Sequence, residues 1–217
     1  MKKIGILGTG VVGQTIGSKL IELGYSVKMG SRTANNEKAA SWVGKSGANS
    51  SAGTFEDAAK FGDIIFLCTK GDVTIDIVKL AKTENFKGKT VIDISNPLDF
   101  SKGMPPSLIP HLSNTNSLGE EVQKTIPEAH VVKTLNIVNC EVMVNAKKSG
   151  GDPTMFVSGN NSESKAEVKS ILNQFGWNDI IDLGDITTAR GTEMLLPIWL
   201  RIWVATQNGY FAFKVVR

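Results

Sequence analysis

The chain has 217 residues, of which 41% are hydrophobic and 21% charged, and it contains 22 glycines and two cysteines. These proportions are those of an ordinary globular protein, so they exclude a disordered chain, a collagen-like repeat and a disulfide scaffold. The 24 basic and 21 acidic residues leave a net charge of +3, too small and too dispersed for a nucleic-acid-binding protein. A single anionic ligand remains compatible with this charge. We expect Cys68 and Cys140 to be reduced thiols of a cytoplasmic protein.

Two apolar segments resemble export or membrane signals but lack the required continuity or length. Glycines interrupt the apolar stretch that follows Lys2 and Lys3, so we do not expect a signal peptide. Residues 194–205 are strongly apolar, but they contain Pro197 and Arg201 and fall short of the roughly 20 residues that a membrane-spanning helix needs. We therefore predict a protein that does not cross a bilayer.

Short apolar runs alternate with segments of helical periodicity along the whole chain, which predicts an α/β protein with a doubly wound, mostly parallel sheet. The predicted strands are residues 3–7, 26–30, 63–69, 90–95, 130–135, 154–158 and, more weakly, 179–183. The predicted helices are residues 12–22, 37–43, 55–60, 73–81, 119–125, 163–175 and 188–207. Gly24 is expected just beyond the first helix, and Asn161 or Ser162 is expected to cap the sixth.

No linker or internal repeat divides the sequence, so we predict one Rossmann-type domain over residues 1–217. Residues 1–135 are interpreted as the nucleotide-binding core. Residues 136–217 are interpreted as an extension of the sheet followed by an apolar C-terminal helix. The least patterned stretch, residues 98–116, contains several prolines and is expected to be a functional or surface loop.

A glycine motif of the form G-x-G-x-x-G follows the first predicted strand and opens the first helix. Its residues are Gly8, Thr9, Gly10, Val11, Val12 and Gly13. In this setting the first glycine permits a tight turn, the second lets the backbone approach a pyrophosphate, and the third allows close packing of helix on strand. The helix N-terminus then offers free N–H groups to the phosphates. The motif therefore predicts a dinucleotide site, the alternative being a glycine turn without a ligand.

The end of the second predicted strand carries the residues that distinguish NAD from NADP. An NAD site places Asp or Glu there to accept hydrogen bonds from the ribose 2′-hydroxyl. This sequence has no acid at that point and presents Ser31, Arg32 and Thr33. The hydroxyl groups can donate hydrogen bonds, and the Arg32 guanidinium can bind a 2′-phosphate through two bonds while it stacks on adenine. We therefore predict NADP(H), with Lys38 either a further phosphate ligand or a solvated surface lysine.

Polar residues follow three more predicted strands. Because ligands of open α/β sheets bind beyond the carboxyl ends of the strands, Thr69, Asn96 and Asn136 are expected on the nicotinamide side of the cleft. Thr69 or Asn96 can hydrogen-bond the nicotinamide ribose or carboxamide, and Pro97 would stiffen its loop. Each of these residues taken singly is equally compatible with a role in a turn.

The sequence offers no arrangement for acid–base, nucleophilic or metal chemistry. His111 lies in the proline-rich loop and His130 begins a strand, and no histidine, cysteine and carboxylate spacing suits zinc. We predict no catalytic side chain and no metal site. The favoured reaction is a hydride transfer that requires two stacked rings within about 3 to 3.5 Å, with the protein supplying position and exclusion of water.

Five segments together resemble a known family. They are I-G-I-L-G-T-G-V-V-G at 4–13, G-S-R at 30–32, S-N-P at 95–97, V-V-K-T-L-N at 131–136 and R-G-T-E at 190–193. The sequence is similar over nearly its whole length to the coenzyme F420-dependent NADP reductases. That group also resembles the reductase domain of the membrane metalloreductases called six-transmembrane epithelial antigens of the prostate. The glycine motif is shared with many dehydrogenases, whereas G-S-R and V-V-K-x-x-N are more particular to this family.

The resemblance implies hydride exchange between NADPH and a 5-deazaflavin in a homodimeric Rossmann protein. It assigns NADP binding to Thr9, Val11, Val12, Ser31 and Arg32, and it places Thr69 and Asn96 near the nicotinamide. It also implies an apolar acceptor pocket near the fifth strand and the last helix. With the adjacent Asn136, the candidate pocket residues are Leu135, Asn136, Ile137, Leu195 and Leu196. Residues 70–72, Lys-Gly-Asp, depart from the tryptophan, proline or histidine common at that point of the family.

The last predicted helix carries an apolar stripe that includes Leu195, Trp199, Ile202 and Trp203. Such a stripe is typical of a core or a subunit interface, and we favour a homodimer formed through this helix. The charged residues Arg190, Glu193 and Arg201 are expected to be salt-bridged or solvated, the alternative for Arg190 being contact with a substrate carboxylate.

The sequence thus favours an NADP(H)-dependent oxidoreductase that exchanges hydride with coenzyme F420. An NADPH-dependent reductase of a flavin, a ferric chelate or an imine is the alternative enzyme. A non-catalytic redox sensor that binds NADP is the alternative outside enzymes.

Overall fold

The computed structural model describes residues 2–217 as strands and helices that alternate along the chain. The strands are β1 (Lys3–Leu7), β2 (Ser26–Ser31), β3 (Ser50–Thr54), β4 (Ile64–Leu67), β5 (Thr90–Asp93), β6 (Leu98–Asp99), β7 (Ser107–Leu108), β8 (His130–Lys133), β9 (Thr154–Gly159) and β10 (Asp179–Gly184). The α-helices are α1 (Val11–Glu22), α2 (Glu37–Ser46), α3 (Phe55–Phe61), α4 (Gly71–Leu80), α5 (Leu118–Thr125), α6 (Cys140–Met143), α7 (Ser162–Gln174) and α8 (Ala189–Thr206).

Eight strands form one sheet in the order β10-β9-β8-β5-β4-β1-β2-β3. The six strands from β8 to β3 are parallel, β9 is antiparallel to β8, and β10 is parallel to β9. The chain moves outward from β1 through β2 to β3 and then crosses to β4 on the other side of β1. This point between β1 and β4 is the topological switch at which ligands of such sheets bind. The predicted doubly wound α/β fold is confirmed.

Apolar side chains cover both faces of the sheet. On one face, Ile4 and Ile6 pack in a core that includes Leu20 of α1 and Leu172 of α7. On the other face, Leu7 packs in a core with residues of α3, α4 and α5. This alternation along β1 is that of a strand buried on both sides, and it explains why the parallel strands are almost continuously apolar.

Three predicted strands extend two residues too far. The structure ends β4 at Leu67, β5 at Asp93 and β8 at Lys133, whereas the apolar pattern continues in each case. The extra residues lie in loops at the carboxyl edge of the sheet; those after β5 and β8 are buried, whereas Cys68 and Thr69 after β4 are partly exposed and line the cleft. Leu135 has a positive φ of 60°, which no extended strand contains.

Strand β3 and the four-residue helix α6 were not predicted. The sequence of β3, S-S-A-G-T, has no large apolar residue because this strand lies at the edge of the sheet, where only one neighbour pairs with it. Helix α6 begins at an asparagine cap, Asn139, whose side chain accepts hydrogen bonds from the N–H groups of Glu141 and Val142. The predicted cap of α7 is confirmed at Asn161, which accepts from the N–H of Ser164.

None of the helices in residues 2–217 has both the length and the apolar character needed to span a bilayer. The apolar C-terminal helix predicted from the sequence is α8, and Pro197 lies inside it. The chain that follows α8 returns to the sheet, because the N–H of Thr154 in β9 donates to the carbonyl of Phe213 at 2.9 Å.

Candidate functional site

A cleft of about 410 Å³ opens at the carboxyl ends of β1, β4 and β5, next to the topological switch. It is lined by Gly10, Val11, Val12, Cys68, Thr69, Lys70, Gly71, Asp72, Ile94, Ser95, Asn96, Leu98, Phe100, Asn136, Val138, Asn139, Cys140, Met143, Leu196, Trp199 and Leu200. The start of α1 and residues of α8 both belong to this lining. The cleft therefore joins the glycine motif to the C-terminal helix.

The three motif glycines meet three different surroundings. A Cβ at Gly8, where φ is 133°, would lie 2.3 Å from the carbonyl oxygen of Cys68, and a Cβ at Gly13 would lie 2.2 Å from the carbonyl oxygen of Gly8. A Cβ at Gly10 would meet nothing within 4 Å. Gly8 and Gly13 are thus required by close packing, whereas Gly10 leaves open space in front of the helix.

The N-termini of α1 and α4 both reach the cleft and neither has a side-chain cap. By contrast, side chains cap α2, α3, α5 and α7. The side chain of Gln14 donates to the carbonyl of Thr9 at 2.9 Å, which holds the turn before α1. Uncapped first-turn N–H groups at the positive end of the helix dipole favour an anionic ligand.

The segment after β2 and the first turn of α2 each place one cation in solvent. Arg32 and Lys38 are exposed, and neither forms a salt bridge within residues 2–217. The Ser31 hydroxyl is buried and donates to the carbonyl of Thr33. In this structure the turn uses the hydroxyl hydrogen of Ser31, and a contact of Ser31 with a phosphate stays a prediction. The exposed hydroxyl of Thr33 can donate to a phosphate.

A chain of hydroxyl groups orients Thr69 at the end of β4. Thr74 Oγ1 donates to the carbonyl of Lys70 at 3.0 Å and lies 2.7 Å from Thr69 Oγ1. Because a hydroxyl has one hydrogen, Thr69 must donate to Thr74. Thr69 Oγ1 can then only accept a further hydrogen bond from a ligand in the cleft, as the amino group of a carboxamide would require.

Asn96 and Asn136 form a reciprocal pair across the cleft floor. Asn96 Nδ2 donates to the carbonyl of Asn136 at 2.8 Å, and Asn136 Nδ2 donates to Asn96 Oδ1 at 2.9 Å and to the carbonyl of Thr192 at 3.1 Å. This pair joins the loop after β5 to the loop after β8 and to α8. Gly71 packs against it, since a Cβ there would lie 2.0 Å from the Asn96 carbonyl oxygen. Pro97 is buried behind the loop and does not line the cleft.

Two of the five candidate pocket residues line the cleft, namely Asn136 and Leu196. Leu135 and Ile137 do not line it, and their role in an acceptor pocket stays a prediction. Each is 1% exposed, because the chain turns at Leu135 and alternate residues after it face the interior. Leu195 is also absent from the lining, since the face of α8 toward the cleft carries Leu196, Trp199 and Leu200, which are spaced i, i+3 and i+4 along the helix.

The sequence did not identify most of the apolar wall opposite the glycine motif. It consists of Leu98, Phe100, Met143, Leu196, Trp199 and Leu200. Trp199 is 8% exposed and stacks on Phe211 of the returning chain at 5.1 Å between ring centroids, so it is a cleft and core residue rather than an interface residue. Trp203 is 37% exposed, and the homodimer through α8 stays a prediction.

Comparison with known proteins supports a specific family for this arrangement. The family described as NADP oxidoreductase, coenzyme F420-dependent, matches residues 3–97. The crystal structure of a candidate F420-dependent NADP reductase from Arthrobacter sp. FB24 is 44% identical, with a TM-score of 0.93 and coverage of 100% of both chains. The chain belongs to this family. The family is described as NADP oxidoreductases, and the chain has a Rossmann-like fold.

Two curated relatives of this reductase extend the comparison. An F420-dependent NADP reductase of Methanocaldococcus jannaschii is 31% identical over 143 residues, which cover 66% of this chain and 63% of the relative. Metalloreductase STEAP3 of Rattus norvegicus is 27% identical over 202 residues, which cover 91% of this chain and 38% of the relative. The chain thus spans less than two thirds of the length of either relative.

The cleft of this reductase fits NADP(H). The space in front of Gly10 faces two uncapped helix N-termini, and the free cations Arg32 and Lys38 follow β2 where a 2′-phosphate is expected. When bound, NADPH supplies the hydride. The chain's own residues would bind its phosphates, orient the carboxamide through Thr69 and exclude water by the apolar wall.

Lys133 forms a buried ionic cluster beneath the cleft that the sequence analysis did not identify. Its Nζ atom donates to Asp93 at 2.9 Å, to Glu193 at 2.8 Å and to the carbonyl of Ser95 at 2.5 Å. Glu193 also accepts from the N–H groups of Leu118 and Gly119 at the start of α5. A lysine inside the run V-V-K-T-L and a glutamate in an apolar helix were the available signals, since buried charges occur mainly in pairs.

The surroundings of this cluster change the pKa values of its members. Burial alone would lower the pKa of Lys133, but the neighbouring carboxylates of Asp93 and Glu193 outweigh it and raise this pKa. Burial raises the pKa of Glu193, and the ammonium group of Lys133 partly offsets the rise. Burial also raises the pKa of the Cys68 thiol well above its usual range, so this cleft residue stays a neutral thiol.

The charged residues predicted on α8 have distinct partners. Arg190 pairs with Glu120 of α5 through two hydrogen bonds of 2.8 and 2.6 Å. Its predicted salt bridge is confirmed, and its guanidinium is therefore engaged away from the cleft. Arg201 is exposed. The Arg190–Glu120 ion pair and the hydrogen bonds that Glu193 accepts from the N–H groups of Leu118 and Gly119 together hold α8 against α5.

Proposed function

We propose that this reductase transfers hydride between NADPH and coenzyme F420, with the two bound at opposite ends of one cleft. The observation that carries the proposal is that two uncapped helix N-termini and a wall of large apolar side chains line the same cavity. The first suits the phosphates of a dinucleotide, and the second suits a flat aromatic acceptor. The names of the Methanocaldococcus and Arthrobacter relatives favour F420 as that acceptor.

The NADP end of the proposed site is formed by the glycine motif and by the turn after β2. The N–H groups at the start of α1 would bind the pyrophosphate, with Gly8, Thr9, Gly10, Val11, Val12 and Gly13 shaping the turn. Arg32, assisted by Thr33 and Lys38, would bind the 2′-phosphate, and Ser31 would hold the turn. Thr69 would accept from the carboxamide, and the Asn96–Asn136 pair, with Pro97 behind it, would fix the floor.

The acceptor end would hold the deazaflavin against Leu196, Trp199 and Leu200. Apolar walls exclude water from the space between the rings, which must approach to about 3 to 3.5 Å for transfer. When both are bound, NADPH would supply one hydride, carrying two electrons, to the deazaflavin ring, and solvent would supply one proton. No side chain of the cleft needs to act as an acid or base in this step.

A panel of acceptors tests the proposal. Purified protein with NADPH is expected to reduce F420 at least tenfold faster, by kcat/KM, than FMN, FAD or a ferric chelate, measured as loss of deazaflavin or NADPH absorbance under anaerobic conditions. Faster reduction of a flavin or of ferric chelate would replace F420 with that acceptor. Binding of NADPH without turnover of any acceptor would favour an NADP-binding sensor instead.

Replacing Arg32 by alanine is expected to weaken NADPH binding by ten- to a hundredfold, the loss of about 1.5 to 3 kcal/mol for hydrogen bonds to a charged group. Binding of NADH should change less than twofold because NADH lacks the 2′-phosphate. Both affinities can be measured by nucleotide fluorescence. Lys45→Ala, which removes an exposed cation from the last turn of α2, is the matched control. Equal loss for both nucleotides would contradict the assigned role.

A further inference from the structure

We infer that the buried cluster of Lys133, Asp93 and Glu193 biases the bound nicotinamide toward its oxidised form and so favours NADPH as the hydride donor. This inference rests on the proposed function, because it requires the nicotinamide to bind beside Ser95. None of the three side chains lines the cleft. They are therefore positioning residues that act on the ring through the cleft floor.

With both carboxylates ionised, the cluster carries one more negative charge than positive. Asp93 accepts hydrogen bonds from the N–H and hydroxyl of Ser95 through Oδ1 and from Lys133 through Oδ2. Glu193 accepts from Lys133 and Gly119 through Oε1 and from Leu118 through Oε2. Every carboxylate oxygen thus faces a donor, which is the geometry of two ionised carboxylates around one ammonium group.

The cluster lies directly under the floor of the cleft. The carbonyl of Ser95 accepts from Lys133 Nζ at 2.5 Å, and Ser95 and Asn96 line the cleft at the end of β5. With the phosphates at the start of α1, the nicotinamide would extend along the carboxyl ends of β4 and β5 toward this floor. Ser95 would therefore separate the ring from the charged groups.

Other charges in the cleft do not cancel the cluster. Of the described residues, the charged ones that line the cleft are Lys70 and Asp72, which are opposite in sign and exposed to solvent. The side chains of Asp93, Lys133 and Glu193 are 0%, 0% and 1% exposed. Water screens the first pair, whereas the buried cluster acts through protein of lower dielectric constant.

The charge of the nicotinamide ring changes during the reaction. The ring is neutral in NADPH and becomes a cation when the hydride leaves. A net negative charge beneath it stabilises the cation and leaves the neutral ring almost unaffected. One unit charge about 10 Å away, at an effective dielectric constant of about 20, changes the relative affinity for the two forms by roughly tenfold.

The test compares the Kd of NADP+ with that of NADPH. Glu193→Gln removes one negative charge and keeps one oxygen that can accept from the N–H of Leu118 or of Gly119, while its amide nitrogen replaces the other oxygen. The ratio Kd(NADP+)/Kd(NADPH) should rise about tenfold in this variant. Kd of NADPH is measured by its fluorescence and that of NADP+ by competition, after circular dichroism has shown that the variant folds. Asp93→Asn removes the same charge from the other carboxylate and should raise the ratio equally, so it decides the question if Glu193→Gln does not fold.

Glu120→Gln is the matched control, since it also removes a carboxylate charge from the contact between α5 and α8. The Glu120 carboxylate pairs with Arg190, and neither residue lines the cleft. If the role of Glu193 is purely structural, Glu193→Gln and Glu120→Gln should both lower the Tm, and neither should change the ratio Kd(NADP+)/Kd(NADPH). A ratio within twofold of wild type in a folded Glu193→Gln or Asp93→Asn protein overturns the inference. Absence of NADPH binding by the wild-type protein would instead refute the proposed function.

Discussion

Replacing Lys133 by methionine should lower the free energy of unfolding by about 3 to 5 kcal/mol, the cost of leaving a buried charge without its partner. The ammonium group is fully buried and uses its three hydrogens on Asp93, Glu193 and the Ser95 carbonyl. Without it, two carboxylates remain in the interior with no cation between them. Urea denaturation followed by circular dichroism measures the free energy of unfolding, and the variant is compared with wild type at the same pH.

Lys124→Met provides the control for this substitution. Lys124 pairs with Glu121 on the surface of α5 and its side chain is 64% exposed, so its loss should change stability by less than about 0.5 kcal/mol. Adding Glu193→Gln to Lys133→Met should recover part of the stability, because only one unpaired carboxylate is then left. A loss below about 1 kcal/mol for Lys133→Met would show that the carboxylates are neutral without the lysine, and recovery would then be absent.

The NADP end of the site could be predicted from the sequence because its residues are close together along the chain. The glycine motif follows directly on β1, and the turn with Arg32 follows directly on β2. In each case the strand before the loop is apolar and the loop is short, so the periodicity fixes where the polar residues emerge. The hydrogen bond that engages Ser31 was not predictable, since a hydroxyl's partner depends on how the turn bends.

The acceptor end could not be predicted in the same way because it is assembled from distant segments. Leu98, Met143 and Trp199 belong to a loop, to the short helix α6 and to α8, and an apolar residue in any of them is equally suited to the core. The resemblance selected Leu135 and Ile137, which do not line the cleft. The turn at Leu135 reverses which side chains face the cleft, and its positive φ leaves no signal in the hydrophobic pattern.

Among substitutions in the glycine motif, Gly10→Asp should differ most in its two effects: it should keep the stability of the protein and greatly weaken NADPH binding. Gly10 is the N-cap of α1, with φ −73° and ψ 178°, a conformation that aspartate favours at helix N-caps. No atom lies within 4 Å of the position of its Cβ, so the side chain fits. The free energy of unfolding of the protein without nucleotide should stay equal or rise by up to about 1 kcal/mol.

The same carboxylate should abolish the nucleotide site. It would accept the N–H hydrogen bonds at the start of α1 that the pyrophosphate requires, and it would add a negative charge beside the phosphates. Loss of two hydrogen bonds to a charged group corresponds to about 4 kcal/mol, so NADPH binding should weaken about a thousandfold. Titration of NADPH fluorescence measures this loss, and thermal unfolding with and without NADPH measures both effects in one experiment.

Gly13→Ala and Gly44→Ala complete the comparison. A Cβ at Gly13 overlaps the Gly8 carbonyl oxygen at 2.2 Å, so this variant should lose stability and nucleotide binding together. Gly44 lies exposed in α2 with nothing within 4 Å of its Cβ position, so alanine there should stabilise the helix by about 0.5 to 1 kcal/mol and leave binding unchanged. If Gly10→Asp bound NADPH within tenfold of wild type, the pyrophosphate would not lie at the start of α1, and the uncapped N-terminus of α4 would become the remaining phosphate site in the cleft.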